Sequence, residues 1–371
     1  MMVMTDINTR VRQIYRILHQ IPEAGFEEVK TAAYLADQLE NAGYTVETGI
    51  GGTGVMGVLK SNKPGSVVMV RADMDAMVHI IDGTNVKIHS CGHDANSAMV
   101  LTVAESMAAK GIASGVLKIL FQPAEETLYG AKSVIQAGVI DDVDVLLGIH
   151  LRPMNEARKG KASPALFHGA SYVVEAVVTG EAAHGARPDL GINAIDAAAA
   201  VVNAINGIRM NPTVPATVKT TRLLSGGPAT NIIPEKAVIT FDVRAQTNEV
   251  MTELLAKTAK AIERGAATVG ASAKVEVRVG APAAEYDPEL IEISRQAIQS
   301  VLGDEGLLAP IYTPGGEDFH FYKKHKPSLK TSYIGLGADL ILGLHHPEMK
   351  FNVDALRDGV HILLDMLDKI M

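Results

Sequence analysis

The chain has 371 residues, too long for one ordinary hydrophobic core, so two domains are expected. Its formal net charge of -8, with no Lys/Arg run, excludes a phosphate-neutralising nucleic-acid binder. No stretch approaches the roughly 18 consecutive apolar residues of a membrane span.

Residues 1–6 lack a basic segment followed by an apolar one, so no secretory leader is expected and the reading is cytoplasmic. Two helices open the chain. Ile7, Val11, Ile14, Tyr15, Leu18 and Ile21 keep helical spacing up to Pro22, and a second periodic run over 27–41 stops at Gly43. Strand-like segments follow at 55–59, 66–71, 116–121 and 143–149, with helical runs at 95–110 and 129–137 between them. This alternation predicts an α/β fold, a mostly parallel sheet flanked by helices. After Pro164 the texture changes to strands at 172–179, 237–245 and 274–279 with helices at 193–209 and 249–269. That describes a compact α+β unit. The βα texture returns at Pro288 and ends on a helix over 353–370. The organisation read from this is a discontinuous larger domain, 1–167 plus 280–371, with an inserted domain at 168–279.

The chemistry-bearing residues sit in that frame. Cys91 is the only cysteine, so no intrachain disulfide forms, and it reads as a ligand or a nucleophile once its neighbours are considered. In Ser90-Cys91-Gly92-His93-Asp94 a thiol and an imidazole flank a glycine, and both can turn toward one ion at the start of a helix. Alone this pattern is weak. Glu125 and Glu126 follow the 116–121 strand at the carboxyl edge of the sheet, where ligands collect. Adjacent acids are ordinarily a solvated face, but metal-assisted hydrolysis needs one carboxylate as ligand and a second as base. His150 closes the 143–149 strand at the same edge, and the pair His345/His346 offers one more imidazole. Successive strand ends thus present donor types that suit zinc-like ions. Asp73 and Asp75 end another strand, and one of them can accept from a ligand histidine's free N–H.

The same residues carry a resemblance. His19-Gln20-Ile21-Pro22-Glu23, Arg71-Ala72-Asp73-Met74-Asp75-Ala76, Cys91-Gly92-His93-Asp94, Pro123-Ala124-Glu125-Glu126 and Gly148-Ile149-His150 occur in that order. Ala183-His184-Gly185-Ala186-Arg187-Pro188, Asn231-Ile232-Ile233-Pro234, Glu317-Asp318-Phe319 and Leu344-His345-His346-Pro347 follow. Over nearly its whole length the chain resembles the metallo-aminoacylase/carboxypeptidase family of zinc peptidase-like amidohydrolases. The branch is that of hippurate hydrolases, N-acyl-amino-acid amidohydrolases and indole-acetyl-amino-acid hydrolases. The resemblance implies two divalent ions (Zn, Mn, Co or Ni) on Cys91, His93, Glu126, His150 and His345, the last preferred over His346 because a Ser usually stands there. It implies Glu125 as general base, Asp75 supporting a ligand, and His184 stabilising the oxyanion. Asn231 and Arg244 are its candidates for holding the substrate, and Arg244 can equally be a strand-end salt-bridge partner. The inserted domain is expected to act as a lid that pairs with its twin in a homodimer.

The implied reaction is hydrolysis of the amide bond of an N-acyl amino acid, with dipeptide or carboxypeptidase activity as the same-class alternative. An inactive binding relative is disfavoured because base and ligand positions are all filled. A Cys91 nucleophile leaves Glu126, His150 and His345 unexplained. Three departures stand out: Met77-Val78 and a short loop up to His89 where the family has Leu-Pro, Asn96 in place of a His, and Gly316 in place of a Ser. His79, His89, His168, His320, His325 and His361 are read as structural or surface residues.

Overall fold

A computed structural model describes residues 6–371; residues 1–5, most of the segment read above for a leader, lie outside the described residues. The chain packs as two compact units. One takes the residues up to Phe167 together with Glu285–Tyr312 and Asp318–Met371, and the other takes His168–Ala284 with Thr313–Glu317. Residues 280–284 and 313–317, expected in the larger domain, therefore pack with the smaller unit.

The larger unit is built on a seven-stranded sheet. Its order is Thr45–Ile50, Gly54–Lys60, Val116–Gln122, Val67–Asp73, Val145–Pro153, Lys330–Leu340 and Ala162–Ser163. The four strands from Val116–Gln122 to Lys330–Leu340 are mutually parallel, and antiparallel partners close both edges. The inner strands read as near-continuous apolar runs because both sheet faces are covered. Strand alternation then divides the side chains between two cores. Val68, Val70, Leu147, Ile149 and Ile334 pack on one face with the helices Ile7–His19, His93–Lys110 and Leu356–Ile370. Met69, Leu120, Leu146 and Tyr333 pack on the other with Phe319 and Tyr322. Gly148 is required by this second core, since a Cβ there would come within 2.2 Å of the Tyr333 ring. The helix His93–Lys110 is buried all round its first turns, so it carries no polar face there. Its small and apolar residues pack on every side, and the buried polar residues His93, Asp94 and Asn96 are each engaged with a partner.

The smaller unit is an antiparallel sheet in the order Ala216–Ser225, Lys236–Ala245, Ala170–Thr179 and Ser272–Ala281, carrying the helices Ala194–Asn206 and Asn248–Ala267. Alternate residues of Lys236–Ala245 are buried, and Ile239, Phe241 and Val243 meet Ala197, Val201 and Leu254. Among the described residues no helix is long and apolar enough to cross a membrane.

Several expectations need correction. The strands Thr45–Ile50 and Ala216–Ser225 were not legible, because both are mostly exposed and carry no apolar alternation. Residues 77–89, read as a loop, form a hairpin of Met77–Ile81 and Thr84–Ile88. Its turn is Asp82-Gly83 with φ 50° and 75°, the Asp-Gly type that matches strand twist. The strand bearing His150 continues to Pro153, so this histidine lies within the strand and not at its end. The last helix is Leu356–Ile370, entered through a 3-10 turn over Val353–Ala355.

Candidate metal centre

The larger unit gathers one cluster at the carboxyl edge of its parallel strands, where an α/β sheet offers a crevice. Beyond Val67–Asp73 the chain runs to Asp75, and beyond Val116–Gln122 it runs to Glu125 and Glu126. Cys91 and His93 flank Gly92, which takes φ 92° at the start of the helix His93–Lys110. A side chain there would be strained, so the glycine is what allows thiol and imidazole to share one turn. Ala124 (φ 54°), just before Glu125, and His345 itself (φ 69°) are also left-handed, although neither is a glycine. Both are held by specific partners. The Ala124 N–H donates to buried Glu28 Oε1 at 2.8 Å, and the His345 N–H donates to the Ser90 carbonyl at 2.7 Å. Costly backbone conformations of this kind persist only where neighbours enforce them, and they concentrate at functional sites.

Donor atoms of Cys91, His93 and His150 lie within 4.8 Å of one another, and so do those of Cys91, Glu126 and His345. The thiol belongs to both sets, which is the layout of two ion positions sharing one sulfur. Cys91 Sγ is 3.6 Å from His150 Nε2, and Glu126 Oε1 is 3.6 Å from His345 Nε2 and 3.8 Å from His93 Nε2. For nitrogen and oxygen atoms these separations are too long for hydrogen bonds. They match the edges of a tetrahedron with bonds of about 2.0–2.3 Å, which run to roughly 3.3–3.8 Å.

Hydrogen bonding fixes the imidazoles. His93 Nδ1 faces the Asp75 carbonyl at 3.1 Å and Asp75 Oδ1 at 3.2 Å, and His150 Nδ1 faces the Leu151 carbonyl at 2.8 Å. These partners only accept, so Nδ1 carries the proton and each Nε2 turns toward the cluster. His93 Nε2 and Glu126 Oε1 are buried with no hydrogen-bond partner. Such atoms are costly unless something else engages them, and a cation between them satisfies both. The donor set therefore fits a pair of divalent ions. Asp75 also accepts from the Glu126 N–H at 3.0 Å, so of the two strand-end aspartates it is the one joined to the ligand-type residues.

Burial sets the charge of the cluster in the absence of a cation. It pushes the Cys91 thiol well up, Glu126 up to about 7 and His150 down to about 3. His93 goes the other way: burial opposes its charging, but Asp73, Cys91 and Asp75 lift it well above the ordinary value. Burial, followed by His93 and His79, lowers His345. His346, the other member of the pair, turns away and accepts from the Glu348 N–H at 3.1 Å.

Beneath the cluster lies a layer that the sequence reading missed. Arg71 is fully buried and donates to Gln122 Oε1 at 2.9 Å, Asp73 Oδ2 at 2.6 Å and Asp318 Oδ1 at 2.8 Å. Asn96, the position noted as unusual, donates to Asp73 Oδ1 at 2.8 Å, and Asp73 Oδ2 lies 3.9 Å from His93 Nε2. The only signal was an arginine closing an apolar run, which reads as a strand-end surface charge until the strand is seen to continue to Asp73. Arg71→Ala strands two buried carboxylates and is expected to lower unfolding stability by about 3–5 kcal/mol. Urea denaturation of apo wild type and variant measures this, and a loss below about 1 kcal/mol would remove Arg71 as the pivot of the layer.

The remaining predicted site residues belong to the smaller unit. His184 is exposed at a short bridge with Ile232, and its Nδ1 accepts from the Ala186 N–H at 3.0 Å. Asn231 is exposed, and its carbonyl accepts from the Gly185 N–H at 2.7 Å. Arg244 is engaged with Asp242 at 2.9–3.0 Å, the strand-end salt bridge weighed from the sequence. His184 is in no donor cluster among the described residues.

Comparison with known proteins adds the following. A family model for peptidase family M20/M25/M40 matches residues 69–369. Hippurate hydrolase of Campylobacter jejuni is 30% identical over 94% of this chain and 93% of its own length. N-acetyl-L-cysteine deacetylase of Bacillus subtilis is 28% identical over 96% of this chain and 87% of its own. The crystal structure of Bacillus subtilis YXEP protein, a dinuclear metal binding peptidase, superposes with a TM-score of 0.82 at 25% identity, covering 98% of both chains.

Proposed function

The chain belongs to peptidase family M20/M25/M40 and is an amidohydrolase, and from that premise we propose that it cleaves the amide bond of N-acyl amino acids at the Cys91 cluster. The carrying observation is the pair of buried, unpartnered atoms, His93 Nε2 and Glu126 Oε1, facing each other beside a thiol shared by two donor sets. Cys91, His93, Glu126, His150 and His345 would hold two divalent cations. A thiolate with imidazoles suits zinc, and manganese, cobalt or nickel fit the same donors. When bound, such ions supply Lewis acidity, acidifying a water and stabilising negative charge that develops on oxygen.

The chain's own residues do the rest. Glu125 is buried, and its Oε1 accepts from the Asp318 N–H at 3.3 Å, while Oε2 lies 3.8 Å from His93 Nε2. That oxygen takes a proton from the attacking water and returns it to the leaving nitrogen. Asp75 keeps His93 oriented through Nδ1. His184 supports the oxyanion from the smaller unit, which acts as a lid and as the contact between two copies in a homodimer. Asn231 and Arg244 bind the amino-acid carboxylate or the carbonyl. Hippurate and N-acetyl-L-cysteine, the compounds carried in the names of the two relatives, are both N-acyl amino acids.

The test is metal content and hydrolysis on a panel of N-acetyl and N-benzoyl amino acids with dipeptides alongside, before and after chelation. The expected outcome is two ions per chain, with cleavage of N-acyl amino acids that stops on chelation and returns with metal. Cleavage of dipeptides alone would replace the acyl-group reading with a peptidase. On the same panel His184→Ala should lose about 10²–10³ in kcat with its metal retained. An unchanged kcat would take His184 out of the mechanism.

A further inference from the structure

The hairpin Met77–Ile81/Thr84–Ile88 leaves the chain just beyond Asp75 and returns through His89 and Ser90 to Cys91. Its base is tied on both sides. The Ala76 N–H donates to the Glu23 carbonyl at 2.7 Å, and His79 Nε2 lies 2.8 Å from Ser90 Oγ. The Ser90 carbonyl is the acceptor that holds His345. Cross-strand pairing gives the hairpin two different faces. One carries Met77 with Ile88, His79 with Val86, and Ile81 with Thr84. The other carries Val78 with Lys87 and Ile80 with Asn85.

The two faces differ in charge and in cover. Lys87, paired with Glu27 Oε2 at 2.5 Å, lies on the second face, where Ile80 is 78% exposed. The first face has no acid, lysine or arginine, and its Ile81 and Val86 are only 38% and 36% exposed. Because His79 on this face bonds to Ser90, next to Cys91, it is the face turned to the metal centre. Two further segments bordering the cluster also expose large apolar side chains, Tyr129 beyond Glu126 and Ile341 and Leu342 before His345. Exposed apolar side chains gathered at the border of a polar cluster are where a ligand's apolar part would be received. An uncharged wall suits the acyl end of a substrate, because a carboxylate laid against it would lose its hydration without compensation.

We infer that the His79 face of this hairpin is the acyl-selecting wall, packing a bulky uncharged acyl group such as benzoyl in preference to acetyl. The inference rests on the N-acyl amino acid reading above. The test is the ratio of kcat/KM for an N-benzoyl over the matching N-acetyl amino acid, measured on the metal-loaded full chain. Ile81→Ser combined with Val86→Ser should lower that ratio about tenfold, the scale of losing apolar contacts in a pocket. Ile80→Ser, on the opposite face, should leave the ratio and the activity unchanged. A ratio unaltered in the double variant, or lowered equally by Ile80→Ser, overturns the wall. If the wild type hydrolyses neither substrate, the amide-hydrolysis reading fails, and the wall is read by equilibrium binding of N-benzoylglycine to the metal-loaded protein. The double variant should then bind about tenfold more weakly, and equal affinity overturns the wall.

Discussion

Glu125→Gln is expected to lower kcat by about 10²–10⁴ while the protein keeps its fold and its metal. Gln preserves the shape of the side chain and can still accept from the Asp318 N–H, so the local turn over Glu125–Thr127 survives. What it cannot do is take a proton. The neighbouring carboxylate behaves differently. Glu126 Oε1 is buried without a hydrogen-bond partner and lies between two imidazoles at 3.6 and 3.8 Å, the position of a ligand and not of a base. Glu126→Gln should therefore lose metal along with activity, and the two adjacent substitutions separate by metal analysis. A Glu125→Gln variant that loses its ions, or keeps kcat within about tenfold of wild type, would reverse the assignment. The first of these results has a structural basis to watch for, because donor atoms of Glu125 also lie within 4.8 Å of those of His93 and Glu126.

That these residues gather at one place is readable from the sequence, and the reason is topological. In a parallel sheet, successive strand ends meet at one edge, so residues at 75, 91–93, 125–126 and 150 could be put together from their order alone. The choice of Asp75 over Asp73, and of His345 over His346, depends on backbone direction after a strand or in a left-handed turn, which spacing does not encode. The resemblance favoured Asp75 and His345, and these are the two that lie against His93 and Glu126. The Arg71 layer and the 77–88 hairpin stayed hidden for different reasons. Arg71 looks like a strand-end surface charge until its three acceptors come together from strands and loops far apart in sequence. The hairpin did carry signals, in Asp82-Gly83 and in the alternation over 84–88, but residues 77–81 are apolar on both faces apart from His79 and give no period of two.

Cys91→Ala is the substitution that decides between a metal ligand and a thiol nucleophile. Geometry alone permits both, since His150 Nε2 faces the sulfur at 3.6 Å and could act as its base. Energetics separates them. Burial pushes the thiol well up, and the nearby Glu126 adds to the shift, so without a cation the sulfur is a poor nucleophile. A divalent ion reverses this by binding the thiolate directly. A sulfur common to two donor sets should then hold both ions, and its removal should cost far more than one bond. The expected result is loss of activity to background together with at least one ion per chain. Thermal unfolding provides a second reading. Ions that bind only the folded chain stabilise it by RT ln(1 + [L]/Kd), about 2.7 kcal/mol at a hundredfold excess over Kd. Added metal should therefore raise the Tm of the stripped wild type and raise that of Cys91→Ala much less. In a thiol enzyme, chelation would leave both the activity and the Tm of the wild type where they were. If that is observed, the unpartnered His93 and Glu126 atoms lose their explanation, and the two-ion centre with them.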